Sequence, residues 1–150
     1  MPSRFNDVTR ILISTDGSES SIRAAEYGIN IAKTLGAQLM VVYVIDSVVL
    51  DEARTFFKAG EQEDVERKLK QAGQGCVNYV LGLAEKEGVK AASSIAKGIP
   101  FEQIVNLAEE SNVGLIVMGT HGRRGPDRIL IGSVAERVIE YSPCPVLVVK

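Results

Sequence analysis

The sequence predicts an α/β fold in which a five-stranded parallel sheet lies between two layers of helices. Short apolar segments rich in β-forming residues alternate with segments whose apolar residues recur every three or four positions. This alternation is typical of strands that are each followed by an amphipathic helix. The connections between successive strand candidates hold a dozen or more residues, as crossovers between parallel strands require. A doubly wound sheet with helices on both faces follows from these two observations.

The first strand and helix have clear boundary signals. The segment RILIST, Arg10 to Thr15, is a short apolar run that stops at the turn-forming pair Asp16-Gly17. Apolar residues with helical spacing follow, with Ser18 as the predicted N-cap and Gly36 as the C-terminal stop. Gln38 to Asp46 is continuously apolar, which predicts a parallel strand covered on both faces.

The next segment, Ser47 to Gly60, has no clean period and is predicted to be an irregular excursion with a short helical turn in DEARTFF. Its Phe56 and Phe57 fit either a lid or a partner contact, and the sequence leaves both open. Glu61 to Glu87 is predicted to be a long helix, because apolar residues form one stripe along it. The stripe consists of Val65, Leu69, Ala72, Cys76, Val80 and Leu83.

The remaining elements continue the alternation. Val89 to Gly98 is a more polar strand, which predicts a position at a sheet edge. Pro100 opens a helix, since proline at a first helical position loses no needed hydrogen bond. Gly114 to Gly119 is the fourth strand, Ser133 to Tyr141 the last helix, and Pro145 to Lys150 the fifth strand. That final strand is apolar and lies at a sheet edge, which predicts a homodimer formed by pairing with its symmetry mate.

Length and composition restrict the classes of partner. The 150 residues suit one domain, residues 1–150. The formal charge of −2 provides no global basic field, so neither nucleic acid nor a membrane surface is an expected partner. The sequence shows no signal-peptide core and no apolar run long enough to span a membrane, which predicts a cytoplasmic protein. Cys76 and Cys144 lack CxxC spacing and are expected to pack as small buried residues.

Ligands of open parallel sheets bind beyond the carboxyl ends of the strands, so the segment after the fourth strand is the first candidate site. Gly119, Gly122 and Gly125 can adopt positive φ and let the chain close over a ligand. Gly132-Ser133 then opens a helix whose free N–H groups and positive dipole end suit a phosphate. Three arginines of this segment, Arg123, Arg124 and Arg128, add positive charge.

The spacing of the glycines strengthens this interpretation. They read G-x2-G-x9-G-S and are followed by VAERVIEYSPCPVLVVK, a pattern that resembles the nucleotide-binding signature of the universal stress protein family. ILISTDGSESSIRAAEYGINIA resembles the first strand and helix of that family, and LMVVYVID its second strand. The resemblance implies a five-stranded sandwich with strand order 3-2-1-4-5. It also implies an adenine nucleotide lying across strands one and four.

The resemblance assigns roles to particular positions. Asp16 would lie near the adenine and ribose, Val44 would meet the adenine edge through its backbone, and Met118 would line the base pocket. Gly119 would approach the ribose. Arg123 is added to the binding residues for its charge alone. The positions that would hold the phosphates are Gly122, Gly132, Ser133 and Val134.

Two positions depart from the family pattern. Ser14 stands where many nucleotide-binding members have proline, and Pro126 stands where an apolar residue usually follows the third glycine of the loop. Neither departure touches the glycine signature. The two departures concern the contacts expected with the adenine base and the shape of the loop after the fourth strand.

Several candidates also have a purely structural interpretation. Asp16 suits a turn or helix cap as well as a ligand contact. Met118 suits core packing as well as base contact. His121 has no Ser, Cys or carboxylate at a catalytic spacing and is expected to be a surface donor. Asp46 and Asp51 are expected to be solvated rather than to bind a metal directly.

The leading functional hypothesis is a module that binds ATP, or AMP or ADP, with Mg²⁺ or Mn²⁺ held through the phosphates. By resemblance, such a module acts in stress response or signalling. No general base is evident for the γ-phosphate, so little or no hydrolysis is expected. The alternative is an adenine nucleotide α-hydrolase or slow ATPase, but STDGSES lacks the paired glycines of the α-hydrolase loop.

Other phosphate-handling classes lack their signatures. A receiver domain needs an acceptor aspartate after the third strand, and SSIAKGIP supplies no acid there. A Walker A loop is missing, and so is a G-x-G-x-x-G after the first strand, which argues against ordinary NTPases and dehydrogenases.

Overall fold

The computed structural model describes residues 7–121 and 131–150. Strands and helices follow one another as the sequence predicts, with one additional helix after the second strand. The strands are β1 (Arg10–Ser14), β2 (Gln38–Asp46), β3 (Ala91–Gly98), β4 (Leu115–Gly119) and β5 (Val146–Val149). The helices are α1 (Glu19–Leu35), α2 (Ser47–Phe56), α3 (Ala59–Lys86), α4 (Pro100–Glu110) and α5 (Ser133–Tyr141).

The strands form one 5-stranded sheet in the order β3-β2-β1-β4-β5, and every neighbouring pair is parallel. The fold class and strand order predicted from the sequence are therefore confirmed. The central strand β1 pairs with β2 through Ser14 opposite Val42, and with β4 through Ile13 opposite Val117. Strand order reverses between β1 and β4, which places the crevice of the fold at their carboxyl ends.

Two separate apolar clusters cover the two faces of the sheet. Ile11 and Ile13 of β1 pack on one face with α1 and α3, while Leu12 packs on the other face with α4 and α5. All three side chains are fully buried. Strands with two covered faces need apolar residues at consecutive positions, which explains the continuous runs in the sequence. No helix of the described ranges has the length and apolar character needed to cross a bilayer.

The boundaries of α1 match the prediction. The Ser18 hydroxyl oxygen accepts a hydrogen bond from the Ser21 amide at 3.3 Å, which caps the first turn. Gly36 adopts a left-handed conformation with φ 67° and ends the helix. β3 is an edge strand, as its polar sequence predicts.

The prediction for Ser47 to Gly60 is wrong in one respect, because this segment contains the regular helix α2. Asp46 caps α2 by accepting a hydrogen bond from the Val48 amide at 2.9 Å. α2 buries only Leu50 and Ala53, so its apolar period is too short to be recognised in the sequence. Phe56 at its end is 81% exposed.

The buried stripe of α3 also differs from the predicted one. Ala72 is exposed, and the adjacent Gly73 is buried against β2. A Cβ atom on Gly73 would lie 2.5 Å from Cδ1 of Tyr43, so a bare backbone lets the tyrosine ring fit beneath the helix. The fully buried stripe is Gly73, Val77, Val80 and Ala84. Cys76 and Leu83 pack beside it.

Both cysteines are half-buried thiols, in agreement with the predicted packing role. Desolvation raises the pKa of the Cys144 thiol, which favours the neutral form and opposes reactivity.

Candidate functional site

The turn after β1 forms one wall of the crevice. The Asp16 Oδ1 atom accepts a hydrogen bond from the Ser18 amide at 2.9 Å, and Gly17 adopts φ 81°. The Gly17 amide in turn donates to the Thr15 hydroxyl oxygen at 3.3 Å. Asp16 is half-buried at the exit of the central strand, so its turn-forming interpretation is correct. Its position also suits the ligand contact.

The end of β2 extends beyond the end of β1. The last registered pair of these strands is Ser14 with Val42, and the Val42 carbonyl accepts from the Thr15 amide at 3.0 Å. Successive residues of a strand direct their main-chain groups to opposite sides, so residues two apart face the same side. Val44, two residues beyond Val42, therefore directs its amide and carbonyl towards the crevice side, past the end of β1.

The end of β4 lies against the first turn of α1. A Cβ atom on Gly119 would stand 2.5 Å from Ser20 Oγ and 2.8 Å from the Ser21 amide nitrogen. Gly119 does not adopt positive φ, contrary to the sequence prediction, and its lack of a side chain serves this close approach instead. Met118 is only 4% exposed and packs in the core with Ile116. Its core-packing interpretation therefore accounts for its position.

The opening of α5 forms the opposite wall. Gly132 is the N-cap, with φ −76° and ψ 160°, and it supplies no side chain to the first-turn amides of Ser133, Val134 and Ala135. In the part of the chain that the structure describes, no side-chain cap hydrogen bond is made to this turn. The Gly132 amide donates to the Thr120 carbonyl, which joins the start of α5 to the exit of β4. The site thus presents main-chain donors and a positive dipole end.

A cluster of hydroxyl groups links the two strand exits. Ser20 Oγ donates to the His121 carbonyl at 2.7 Å, and Ser18 Oγ lies 3.4 Å from the same oxygen. The Ser21 hydroxyl donates to the Ser18 carbonyl at 2.9 Å and lies 3.2 Å from Thr15 Oγ1. Sequence reasoning missed this cluster. Its only signal is the density of serines in SESS, which follows the turn.

The other candidates divide into those that the structure explains and those that it does not cover. Nδ1 of His121 lies 3.0 Å from Thr120 Oγ1, Asp46 caps α2, and Asp51 pairs with Arg54 at 3.3 Å. Residues 7–121 and 131–150 contain no group of three or more His, Cys, Asp or Glu that could hold a metal ion. The candidates outside the described residues are Gly122, Arg123, Arg124, Gly125, Pro126 and Arg128.

Comparisons with known proteins agree with this architecture. The model of the universal stress protein family matches residues 8–150. Universal stress protein MJ0531 of Methanocaldococcus jannaschii is 44% identical over 141 residues, covering 94% of this chain and 81% of that protein.

Two solved structures share the fold. That of hypothetical protein MJ0577, from the same organism, has a TM-score of 0.80 and is 32% identical, covering 95% of this chain and 96% of that one. A universal stress protein from Archaeoglobus fulgidus, solved in complex with dAMP, has a TM-score of 0.69 and is 22% identical. The match covers 95% of this chain and 98% of that one.

Proposed function

This chain belongs to the universal stress protein family, and from that premise we propose that it binds an adenine nucleotide, namely ATP, AMP or ADP. The observation that carries the proposal is the start of α5, where the glycine cap offers no side chain to the first-turn amides of Ser133 and Val134, and no described residue caps them instead. Uncapped helix amides at the carboxyl edge of a parallel sheet are suited to hold phosphate oxygens.

The base and ribose have a separate binding region in this proposal. The main chain of Val44 meets the adenine edge, while Asp16 and Gly119 lie beside the ribose. The exit geometry of β1 and β2 supports this arrangement, because β2 continues past the last pair of Ser14 and Val42. The dAMP complex of the Archaeoglobus fulgidus protein supports an adenine compound as the ligand class of this fold.

The proposed metal, Mg²⁺ or Mn²⁺, is held mainly by the phosphates. No acidic cluster among the described residues is available to it, so the exposed Ser133 hydroxyl is the protein group best placed to contribute a ligand. Mg²⁺ commonly keeps several water ligands and binds through substrate phosphates, which fits so sparse a set.

We propose that the bound nucleotide sets the state of a stress-response or signalling module with little or no hydrolysis. Among the described residues, the two side chains nearest the crevice that could activate water make other contacts, since Asp16 accepts from Ser18 and His121 contacts Thr120. We also propose a cytoplasmic location, which two cysteines in the thiol form fit.

Calorimetry with ATP and Mg²⁺ tests the binding proposal. We expect saturable heat, and at about a hundred times Kd the ligand should stabilise the fold by about 2.7 kcal/mol. For a chain of this size that corresponds to roughly 5–11 °C in the midpoint of thermal unfolding. Correctly folded protein that gives neither heat nor a thermal shift with millimolar ATP would refute the proposal.

Product analysis on the same sample addresses hydrolysis. We expect a turnover below about one per second, the low end of ordinary enzymes. Release of ADP above that rate would identify an ATPase. Release of AMP and pyrophosphate would instead identify an α-hydrolase.

We further propose a homodimer formed through the C-terminal strand, Pro145 to Lys150. The outer edge of β5 is unpaired in the described chain, and Tyr27 of α1 and Ile139 of α5 stay 57% and 49% exposed on helices that contact β5. Pairing of two β5 edges would satisfy the main-chain groups and cover apolar surface together.

Replacing Val148 with proline is expected to convert the dimer to a folded monomer. The Pro145 and Val149 carbonyls accept hydrogen bonds from the Ile116 and Thr120 amides, so by alternation the Val148 amide faces the open side. Proline removes that donor and is tolerated at a sheet edge. Sedimentation should show the dimer for the wild type and the monomer for the variant, with unchanged circular dichroism. A wild-type monomer at micromolar concentration would refute the dimer.

A further inference from the structure

The hydroxyl of Ser20 connects the start of α1 to the chain just after β4. Ser20 is 8% exposed, and its Oγ donates to the His121 carbonyl at 2.7 Å. Ser18 Oγ lies 3.5 Å from Ser20 Oγ, so a second hydroxyl supports the first. The contact spans 101 positions of sequence and fixes two strand exits relative to each other.

The opposite side of the same short segment is also fixed. The residue before His121 is Thr120, whose carbonyl accepts from the Gly132 amide and whose own amide donates to Val149 at 2.8 Å. Gly132 is the N-cap of α5. The neighbouring carbonyls of Thr120 and His121 therefore connect the start of α5 to the first turn of α1.

We infer that Ser20 is a positioning residue for nucleotide binding: its hydroxyl sets the place of the His121 carbonyl and thereby that of the α5 amides that receive phosphate. This inference rests on the proposed function. Ser20 itself need not touch the ligand, because its hydroxyl proton is already donated to His121.

The position of Ser20 makes this role specific to the phosphate end of the proposed nucleotide. The Asp16 turn and the main chain of Val44, which serve the base and ribose, do not depend on the Ser20 hydroxyl. Loss of that hydroxyl should therefore weaken ligands with a phosphate chain and leave adenosine almost unaffected. A general loss of folding would weaken both alike.

The test compares Ser20→Ala with Ser21→Ala. Ser21 is a matched control, because it is a buried neighbouring serine whose hydroxyl bonds to Ser18 and Thr15 and not to His121. We expect Ser20→Ala to raise the Kd for ATP about tenfold, as loss of one buried hydrogen bond would. The Kd for adenosine should change less than about twofold. Ser21→Ala should leave the ratio of the two constants at its wild-type value.

Amide exchange in the nucleotide-free protein provides a second readout. Ser20→Ala should speed exchange of the Gly132 amide, since the Thr120 carbonyl that it meets loses its neighbouring anchor. If the wild type binds ATP but Ser20→Ala leaves the ratio of the Kd for ATP to the Kd for adenosine unchanged, the inference is overturned and the proposed function stands. A wild type that binds no adenine nucleotide would overturn both.

Discussion

Replacing Gly132 with aspartate is expected to lower ATP affinity about a hundredfold while leaving the protein at least as stable as the wild type. An aspartate at an N-cap accepts hydrogen bonds from the first-turn amides. In α5 those are the amides to which the glycine cap offers no side chain. The new carboxylate would occupy them and repel the phosphates, and two lost charge-assisted hydrogen bonds amount to about 3 kcal/mol.

Gly132→Asn is the matched control. Its side chain has the same shape and caps the helix equally well, but it carries no charge. We expect about a tenfold loss of ATP affinity for Asn, and for both variants a midpoint of thermal unfolding equal to or slightly above that of the wild type. Calorimetry and thermal denaturation of the same preparations measure the two effects. If the Asp variant binds ATP as tightly as the wild type, the phosphates lie elsewhere.

Gly119→Ala should produce the largest loss of stability among single methyl additions at the site. The added Cβ would meet the carbonyl carbon of Ser20 and the amide nitrogen of Ser21, both at 2.8 Å. These are backbone atoms that cannot rotate away, so β4 and α1 must separate. Overpacking of this kind costs about 1–3 kcal/mol. We expect the midpoint of thermal unfolding to fall by roughly 2–12 °C.

Gly75→Ala provides a control for which we expect the stability to change in the opposite direction. Gly75 lies in α3 and is exposed, with nothing within 4 Å of the Cβ position. Alanine is favoured over glycine inside a helix by about 0.5–1 kcal/mol, so this variant should be slightly more stable than the wild type. Urea denaturation of both variants measures the difference. Equal stability of Gly119→Ala and the wild type would contradict the close packing of β4 on α1.

The elements that could be predicted from the sequence are those with local signals. The cap at Ser18 and the stop at Gly36 depend on neighbouring residues, and the structure has both as predicted. The opening of α4 at Pro100 is equally local. α2 lacked such a signal, because only Leu50 and Ala53 face the core.

The features of the site that escaped prediction are contacts between distant segments. Gly119 was expected to supply backbone freedom, and only the approach of α1 shows that it supplies space. The bond from Ser20 to His121 joins residues 101 positions apart, and no local pattern encodes it. The shared edge at which Asp16 follows β1 and Val44 lies near the end of β2 was predictable, because the carboxyl ends of parallel strands lie at one edge of a sheet.

The position of Asp46 couples the end of β2 to the start of α2. It is the last residue of β2 and also the residue whose carboxylate caps α2, so strand and helix follow each other with no linker between them. Because no linker residue separates β2 from α2 and the cap fixes the first turn, we expect the helix to follow small rotations of the strand end. The helix is 10 residues long, so its far end stands about 15 Å from that pivot. A tilt of a few degrees at the end of the strand would therefore displace the Phe56 ring by roughly an ångström. Small movements of the sheet edge are thus amplified at the far end of α2.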